Sequence, residues 1–296
     1  MTLKNNPVVT TIRAMRVYQW TKNGLLFAAL IFAKEALDPA KIALVLEAFA
    51  AFCMAASATY LFNDLMDVEK DRQHPKKRHR PIASGAMPPT VAYGLLITLF
   101  IASVLLSYHI RWQFLCATLA YIALTLSYTL VFKNLIILDV LMLAMGFVIR
   151  ALAGAIALDV KFSSWLVVCT LFLALFLGLS KRRHEVVLLE EGASSHRAVL
   201  YHYSVHYLDQ LILIAAGGTI ITYTIYTCSP DVIERLGTDK LYVTLPFVIY
   251  GLFRYLFIVH HKTGGGDPSA TLIRDWPLGV TVLLWGITCA ALIYVH

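Results

Sequence analysis

Long apolar stretches alternate with short polar links along most of this chain. Nine can be marked out, at 23–37, 41–62, 91–108, 112–131, 136–157, 163–179, 210–227, 241–259 and 277–294. Most reach the roughly 20 residues that an α-helix needs to cross the hydrocarbon layer of a bilayer. The pattern predicts an all-α, polytopic membrane protein of nine transmembrane helices, one integral-membrane domain over residues 1–296. The first run, 15 residues long, is short for a span and suits a tilted or partly re-entrant segment. The N-terminal string up to Trp20 holds no apolar core, so a cleaved signal peptide is not expected.

Composition agrees with the pattern. Of 296 residues, 59% are hydrophobic and 15% charged, against about 25% charged in soluble domains. The mean hydropathy is +0.70. A disordered chain, a collagen and an ordinary water-soluble enzyme are thereby excluded. Five well-separated cysteines, Cys53, Cys116, Cys169, Cys228 and Cys289, form no CxxC pair and lie in or at the end of apolar runs, as packing residues do.

The net charge of +7 would suit nucleic acid, anionic lipid or an anionic substrate. Its distribution narrows the choice. With the N-terminus cytoplasmic, 17 of the 25 Lys and Arg fall on the inside, 6 on the outside, and Arg150 and Arg254 within spans. That asymmetry favours an N-in, C-out topology, with the bilayer and not nucleic acid as partner. The long inside loops 63–90 and 180–209 can roof a cavity between helices, so the active site is expected on the cytoplasmic face.

The second run ends in Asn63-Asp64-Leu-Met-Asp67-Val-Glu-Lys-Asp71, an NDxxDxxxD pattern. If the helix continues, Asp64, Asp67 and Asp71 share one face. Stacked carboxylates repel one another unless a cation sits among them, and hard oxygen ligands suit Mg²⁺ shared with a substrate phosphate. A solvated helix end, its charges interleaved with Glu69, Lys70 and Arg72, is the other reading; placement at the mouth of a bundle favours the metal. Arg72, Lys76, Lys77, Arg78 and Arg80 follow within nine residues. Cations here could bind anionic lipid or set topology, but beside a metal they form the usual clamp for a diphosphate leaving group.

NDxxDxxxD followed by Arg80-Pro81-Ile-Ala-Ser84-Gly85 resembles the first motif of the UbiA superfamily of intramembrane prenyltransferases, in which Mg²⁺ on the motif holds an isoprenoid diphosphate. The resemblance implies that Asp64 and Asp67, with Asn63 and Asp71, are the metal ligands. The superfamily's second acidic motif is replaced here by Lys181-Arg182-Arg183-His184-Glu185, where Glu185 is the carboxylate nearest the membrane. This departure resembles the decaprenyl-phosphate phosphoribosyltransferase branch. Gln19-Trp20-Thr-Lys22-Asn23, the stretch from Gly146 through Arg150 to Gly154, Arg254-Tyr255, Gly266-Asp267-Pro268 and Arg274–Leu278 match that branch as well.

The resemblance implies transfer of 5-phosphoribose from 5-phosphoribosyl 1-diphosphate (PRPP) to a polyprenyl phosphate in a bacterial plasma membrane, for use in the cell envelope. Mg²⁺ on the acidic motif, helped by Lys77, Arg78 or Arg80, would stabilise the departing diphosphate. Lys181 and Arg182 would hold the 5-phosphate, leaving Glu185 as a candidate donor or metal contact. The acceptor is already an anion, so no strong general base is demanded. The branch leaves room for a homo-oligomer, though no stretch declares an interface.

Other residues carry two readings each. Arg150 inside a span costs about 2.5–3.5 kcal/mol on insertion scales; either it pairs with a carboxylate such as Asp139 or it binds the acceptor phosphate. Tyr128 and Lys133 are ordinary interfacial residues, but the superfamily also places Tyr and Lys here, lining the diphosphate pocket. Lys22 is a topology charge or part of a polar substrate cluster with Gln19 and Asn23. His196, His202 and His206 fall in a stretch that reads as an amphipathic interfacial helix; the i,i+4 spacing of His202 and His206 would also allow a zinc site, but no further ligand is evident. Gly264–Gly266 lacks the Lys-Ser/Thr of a phosphate-binding loop and reads as a turn. Two rival functions remain: a UbiA-type aromatic prenyltransferase acting on a ring such as 4-hydroxybenzoate, and a transporter, against which the lack of an internal repeat argues.

The span count makes a topological prediction. Loops 63–90 and 180–209 are separated by four spans and should share the cytoplasmic side. Cysteines placed at Ser84 and Ser194, in a background free of native thiols, should react with a membrane-impermeant reagent in inverted vesicles and not in right-side-out ones. Opposite accessibility would break the count.

Overall fold

Helix starts fall where the sequence supplies caps and prolines. A computed structural model describes residues 6–75, 77–190, 198–261, 266 and 268–295. It is all-α, with no strand among the described residues. The α-helices are α1 (Pro7–Ala14), α2 (Ala28–Phe32), α3 (Pro39–Met66), α4 (Val68–Gln73), α5 (Pro89–Ile110), α6 (Trp112–Leu130), α7 (Leu138–Leu158), α8 (Ser164–Glu190), α9 (Val205–Cys228), α10 (Pro230–Leu236), α11 (Leu245–His261), α12 (Pro268–Arg274) and α13 (Trp276–Tyr294). Asp38 caps α3 by accepting from Ala40 N at 2.8 Å, and Pro39 occupies its first turn, where no N–H is missed. Ser204 caps α9 by accepting from Tyr207 N at 3.1 Å.

Eight helical segments are long and apolar enough to cross a membrane, and they match the second to ninth runs. The first run is different: 23–37 falls in a 3₁₀ segment, Val17–Phe27, and the five-residue α2. Nine spanning helices are therefore not met among the described residues. Polar Gln19, Lys22 and Asn23 and the flexible Gly24 interrupt the apolar surface here, and the tighter 3₁₀ geometry carries them. The stretch 180–209 also differs from a loop. Helix α8 continues to Glu190, because Lys181–Glu190 contains good helix formers and no breaker, and Val186 packs into an apolar core.

The chain divides into two compact units. The first comprises Met1–Leu30, Asp38–Val131 and Ile149–Val160. Helix α3 is its axis, buried through Ala48, Ala51, Ala55 and Ala58, whose small side chains let neighbours approach closely without lipid between them. On the neighbouring helix α5, Ser103 Oγ donates to Ala51 O at 2.9 Å. Gly154 of α7 lies against the 3₁₀ segment so tightly that a Cβ there would stand 2.3 Å from Leu26 O.

The second unit comprises Ile31–Leu37, Phe132–Val148 and Lys161–His296. Helices α8 and α9 pair along their length around Phe176, Leu179, Leu208 and Ile212, with Tyr255 of α11 joining the same core. Arg254 of α11 forms a two-pronged bond to Asp275, Nε to Oδ1 at 3.0 Å and Nη2 to Oδ2 at 2.9 Å. Asp275 also caps α13 by accepting from Leu278 N. This cation within a span is thus a helix clamp. Large apolar side chains elsewhere, such as Leu105 on α5 and Leu213 on α9, face outward, as lipid contact requires.

Replacing Gly154 with Ala should lower stability by about 1–3 kcal/mol, because the new methyl meets backbone and cannot rotate away. A thermal melt of the detergent-solubilised protein checks this, with Gly217→Ala as control, since nothing lies within 4 Å of a Cβ there. Equal melting of the two variants would contradict the close approach.

Candidate active site

The acidic motif lies at the end of α3, where the helix breaks for one residue. Asp67 has φ −98° and ψ 10°, and α4 begins at Val68. Backbone bonds bridge the break, Asp67 N to Asn63 O at 3.0 Å and Asp71 N to Asp67 O at 2.8 Å. Asp64 and Asp71 therefore keep the facing relationship expected of an unbroken helix. Both are buried, while Asn63 and Asp67 are half-buried.

A cation does sit among these carboxylates, and it is arginine. Arg80 Nη1 donates to Asp64 Oδ1 at 3.1 Å and to Asp71 Oδ2 at 2.5 Å. Arg16 Nη2 donates to the same Asp64 Oδ1. Two carboxylates and two guanidiniums neutralise one another where α3 ends. Arg80 is placed by its own segment: Ile82 and Met87 plug into a core with Ala14, Leu61 and Ala92, and Met87 N bonds back to Pro81 O at 2.9 Å. Gly85, at φ +77°, makes the turn between them. Lys77 is half-buried and Arg78 exposed; Lys76 lies outside the described residues. Arg16 escaped the sequence reading, because nothing in the spacing joins it to a residue 48 positions away.

The donor set is compatible with Mg²⁺. Among the described residues no three acid, His or Cys side chains form a ready-made cage. Mg²⁺ seldom needs one, since it takes one or two carboxylates and completes its shell with water and substrate phosphate. The contacts to arginine use Oδ1 of Asp64 and Oδ2 of Asp71, which leaves the other oxygen of each as a hard ligand.

Deeper in the same unit, Arg150 is buried. Its Nε donates to Asn23 Oδ1 at 2.7 Å and its Nη2 to Tyr121 OH at 2.8 Å, and the guanidinium lies 4.6 Å from the centroid of the Tyr121 ring. Asn23 also donates to Cys53 Sγ. The expected cluster of Gln19, Lys22 and Asn23 splits. Lys22 Nζ donates to Gln19 Oε1 at 3.0 Å, whereas Asn23 turns inward to Arg150. Tyr128 is half-buried near the end of α6 in this unit, and Lys133 is half-buried in the 3₁₀ turn Phe132–Asn134 of the other.

In the second unit the cationic end of α8 is internally tied. Arg182 Nε donates to Asp139 Oδ2 at 2.7 Å and its Nη1 to Glu185. Tyr203 OH donates to Asp139 Oδ1 at 2.8 Å and accepts from Ile137 N at 2.6 Å. Burial pushes the Tyr203 phenol up, so it remains the proton donor to Asp139. Ile137 has φ +69°, a strained conformation for a β-branched residue that persists only where the surroundings hold it. Arg183 Nε donates to Asp209 Oδ1 at 2.6 Å. Lys181 is exposed.

Gly266 fits against the His184 ring, where a Cβ would come within 2.4 Å; Gly264, Gly265 and Asp267 lie outside the described residues. The expected helix over His196, His202 and His206 is instead a 3₁₀ turn, Ala198–His202, followed by the start of α9, with His196 outside the described residues. His206 is shared with Gln210 at 3.2 Å.

A model of the UbiA prenyltransferase family matches residues 24–271. The chain belongs to the UbiA prenyltransferase family. Like other UbiA members it is an integral membrane transferase. It is 35% identical over 98% of its length to a decaprenyl-phosphate phosphoribosyltransferase of Mycolicibacterium smegmatis, covering 94% of that protein. To the Corynebacterium glutamicum protein of the same name it is 34% identical, over 96% of this chain and 86% of the relative. Among solved structures, a UbiA homologue from Archaeoglobus fulgidus bound to GPP and Mg²⁺ superposes with a TM-score of 0.71 at 19% identity, over 96% of this chain and 99% of that one. The UbiA fold is thus shared at low identity, while the likeness at the level of sequence is to the phosphoribosyltransferases.

Tyr203→Phe should destabilise the protein by about 1–3 kcal/mol, because both Asp139 Oδ1 and the Ile137 N–H lose a buried partner. Thermal melts of wild type and variant read the difference, and an unchanged melt would remove the clasp.

Proposed function

We propose that this enzyme transfers 5-phosphoribose from PRPP to a polyprenyl phosphate, giving polyprenyl-phosphoryl-5-phosphoribose and diphosphate. The observation that carries the reading is the cationic end of α8. Lys181-Arg182-Arg183 stands where an isoprenoid-diphosphate enzyme of this superfamily has a second acidic motif, in a chain whose curated relatives bear the phosphoribosyltransferase name. A donor with an additional phosphate calls for that change of sign.

Each charged cluster is assigned by its own chemistry. Asp64 and Asp67, with Asn63 and Asp71 beside them, hold Mg²⁺. Bound there, the ion would offset charge on the departing diphosphate. Arg80, Lys77 and Arg78 donate to the same diphosphate, and the family resemblance assigns Lys22, Tyr128 and Lys133 to substrate binding. The bond from the anomeric carbon to the diphosphate oxygen breaks with its electron pair leaving on oxygen. A bond from that carbon to an acceptor phosphate oxygen forms, and since that oxygen is already anionic no proton need be removed. Lys181 takes the 5-phosphate. Arg182, tied to Asp139 and Glu185, lies next to Lys181 in the chain and takes part with it in holding the 5-phosphate. Arg150, fixed by Asn23 and Tyr121, binds the acceptor phosphate. The reading puts the enzyme in the bacterial plasma membrane with both charged clusters on the cytoplasmic side, where PRPP is made.

Membranes containing the enzyme should form a radiolabelled lipid from labelled PRPP and decaprenyl phosphate, and chelator should stop the reaction until Mg²⁺ is restored. Asp64→Asn should lower kcat by about 10²-fold or more, as loss of a group that stabilises developing charge does. A labelled product from prenyl diphosphate and 4-hydroxybenzoate, with none from PRPP, would replace this reading with the aromatic prenyltransferase one.

A further inference from the structure

Arg16 has no part in the roles assigned so far, although its guanidinium touches the motif directly. It immediately precedes the 3₁₀ segment Val17–Phe27 and has φ +53°, a left-handed conformation costing a non-glycine residue on the order of 1–3 kcal/mol. Its neighbours are held to one residue of α3. Ser57 Oγ donates to Met15 O at 3.0 Å, and Trp20 Nε1 donates to Ser57 Oγ at 3.1 Å. With the backbone pinned on both sides, the side chain is the adjustable part. It lies over the Tyr60 ring, 4.9 Å from the centroid, with Nη2 on Asp64 Oδ1.

We propose that Arg16 is a diphosphate ligand parked on Asp64. In the unliganded enzyme it neutralises that carboxylate; when a divalent cation takes Asp64, Arg16 turns to the diphosphate that enters with the metal. The proposal rests on Asp64 being a metal ligand, as assigned above. The geometry selects Arg16 as the group that moves. Asp64 Oδ1 already accepts from two guanidiniums, and a divalent ion would add a third repelling centre. Arg80 keeps Asp71 when it gives up Asp64. Arg16 forms its ion pair with Asp64 alone among the described carboxylates. The Tyr60 face can hold the guanidinium while its N–H fork swings, and that planar fork suits two phosphate oxygens at once.

The two halves of the role have opposite signs. Arg16 competes with the metal and cooperates with the diphosphate, and a purely structural residue would not do both. Mn²⁺ binding to the full chain, followed by electron paramagnetic resonance without turnover, reads the first half. Binding of inorganic pyrophosphate at saturating Mn²⁺ reads the second. Arg16→Gln should bind Mn²⁺ about tenfold tighter than wild type and pyrophosphate about tenfold weaker, within the range usual for coupled ligands. Arg16→Lys, which keeps the charge and so the fold, should bind Mn²⁺ as wild type does and pyrophosphate more weakly, because an ammonium lacks the fork. If Asp64→Asn abolishes Mn²⁺ binding while Arg16→Gln leaves it unchanged or weaker, the proposal is overturned and the metal assignment stands. Wild-type pyrophosphate affinity in Arg16→Lys overturns the ligand half by itself. Mn²⁺ binding that survives Asp64→Asn removes the metal assignment, and the role of Arg16 with it.

Discussion

Asp64 at the end of α3 and Asp71 in the short α4 that follows it are buried carboxylates, and the first unit is built around neutralising them. A charge taken out of water is costly, and removing one partner of a buried pair typically destabilises by about 3–5 kcal/mol. The two guanidiniums that answer the carboxylates come from distant segments. Arg16 is delivered by a left-handed residue held against Ser57. Arg80 is delivered by a loop whose Ile82 and Met87 are apolar plugs. The packing of α1, α3 and α5 therefore serves the site as well as the core: it brings Arg16 onto Asp64 and Arg80 onto both Asp64 and Asp71.

The second unit meets the same constraint in a different way. Asp139 is fully buried and accepts from two groups, Arg182 and the Tyr203 hydroxyl, the latter itself held by the Ile137 amide. Arg254 and Asp275 repeat the arrangement between α11 and the start of α13. Arginine suits these positions because its fork satisfies two acceptors and it stays charged at any accessible pH. At the end of α8, Arg182 and Arg183 pair with Asp139, Glu185 and Asp209.

Both charged clusters include a non-glycine residue with positive φ, Arg16 in one and Ile137 in the other. Such strain is held only where neighbouring bonds over-determine the backbone, and it tends to collect at sites that bind or switch. At Arg16 the strained residue itself carries the charged side chain. At Ile137 it aims an amide at the tyrosine that orients a carboxylate. The long helices provide rigid positions for Asp64 and Arg182, and the short 3₁₀ segments and turns carry the groups that complete each cluster.

Hydrophobic length and the Asp-rich spacing made the membrane class, eight of the spans and the acidic motif legible in the sequence. Those features depend on local chain geometry: 3.6 residues per turn and the thickness of a bilayer leave little freedom. The first run, expected to be short, tilted or partly re-entrant, is a 3₁₀ segment and a five-residue helix, a distinction that apolar content alone does not make. The end of α8 was misread as a loop because charge suggested solvent, whereas helix propensity and the burial of Val186 carried the helix on. The tertiary structure decided which cation answers which carboxylate. Arg16 reaches Asp64 across 48 residues and Asp139 takes Arg182 across 43. Arg150 turns to Asn23 and Tyr121. A side chain's partner in a bundle is set by the packing of helices remote in sequence, and no spacing rule along one chain contains that information.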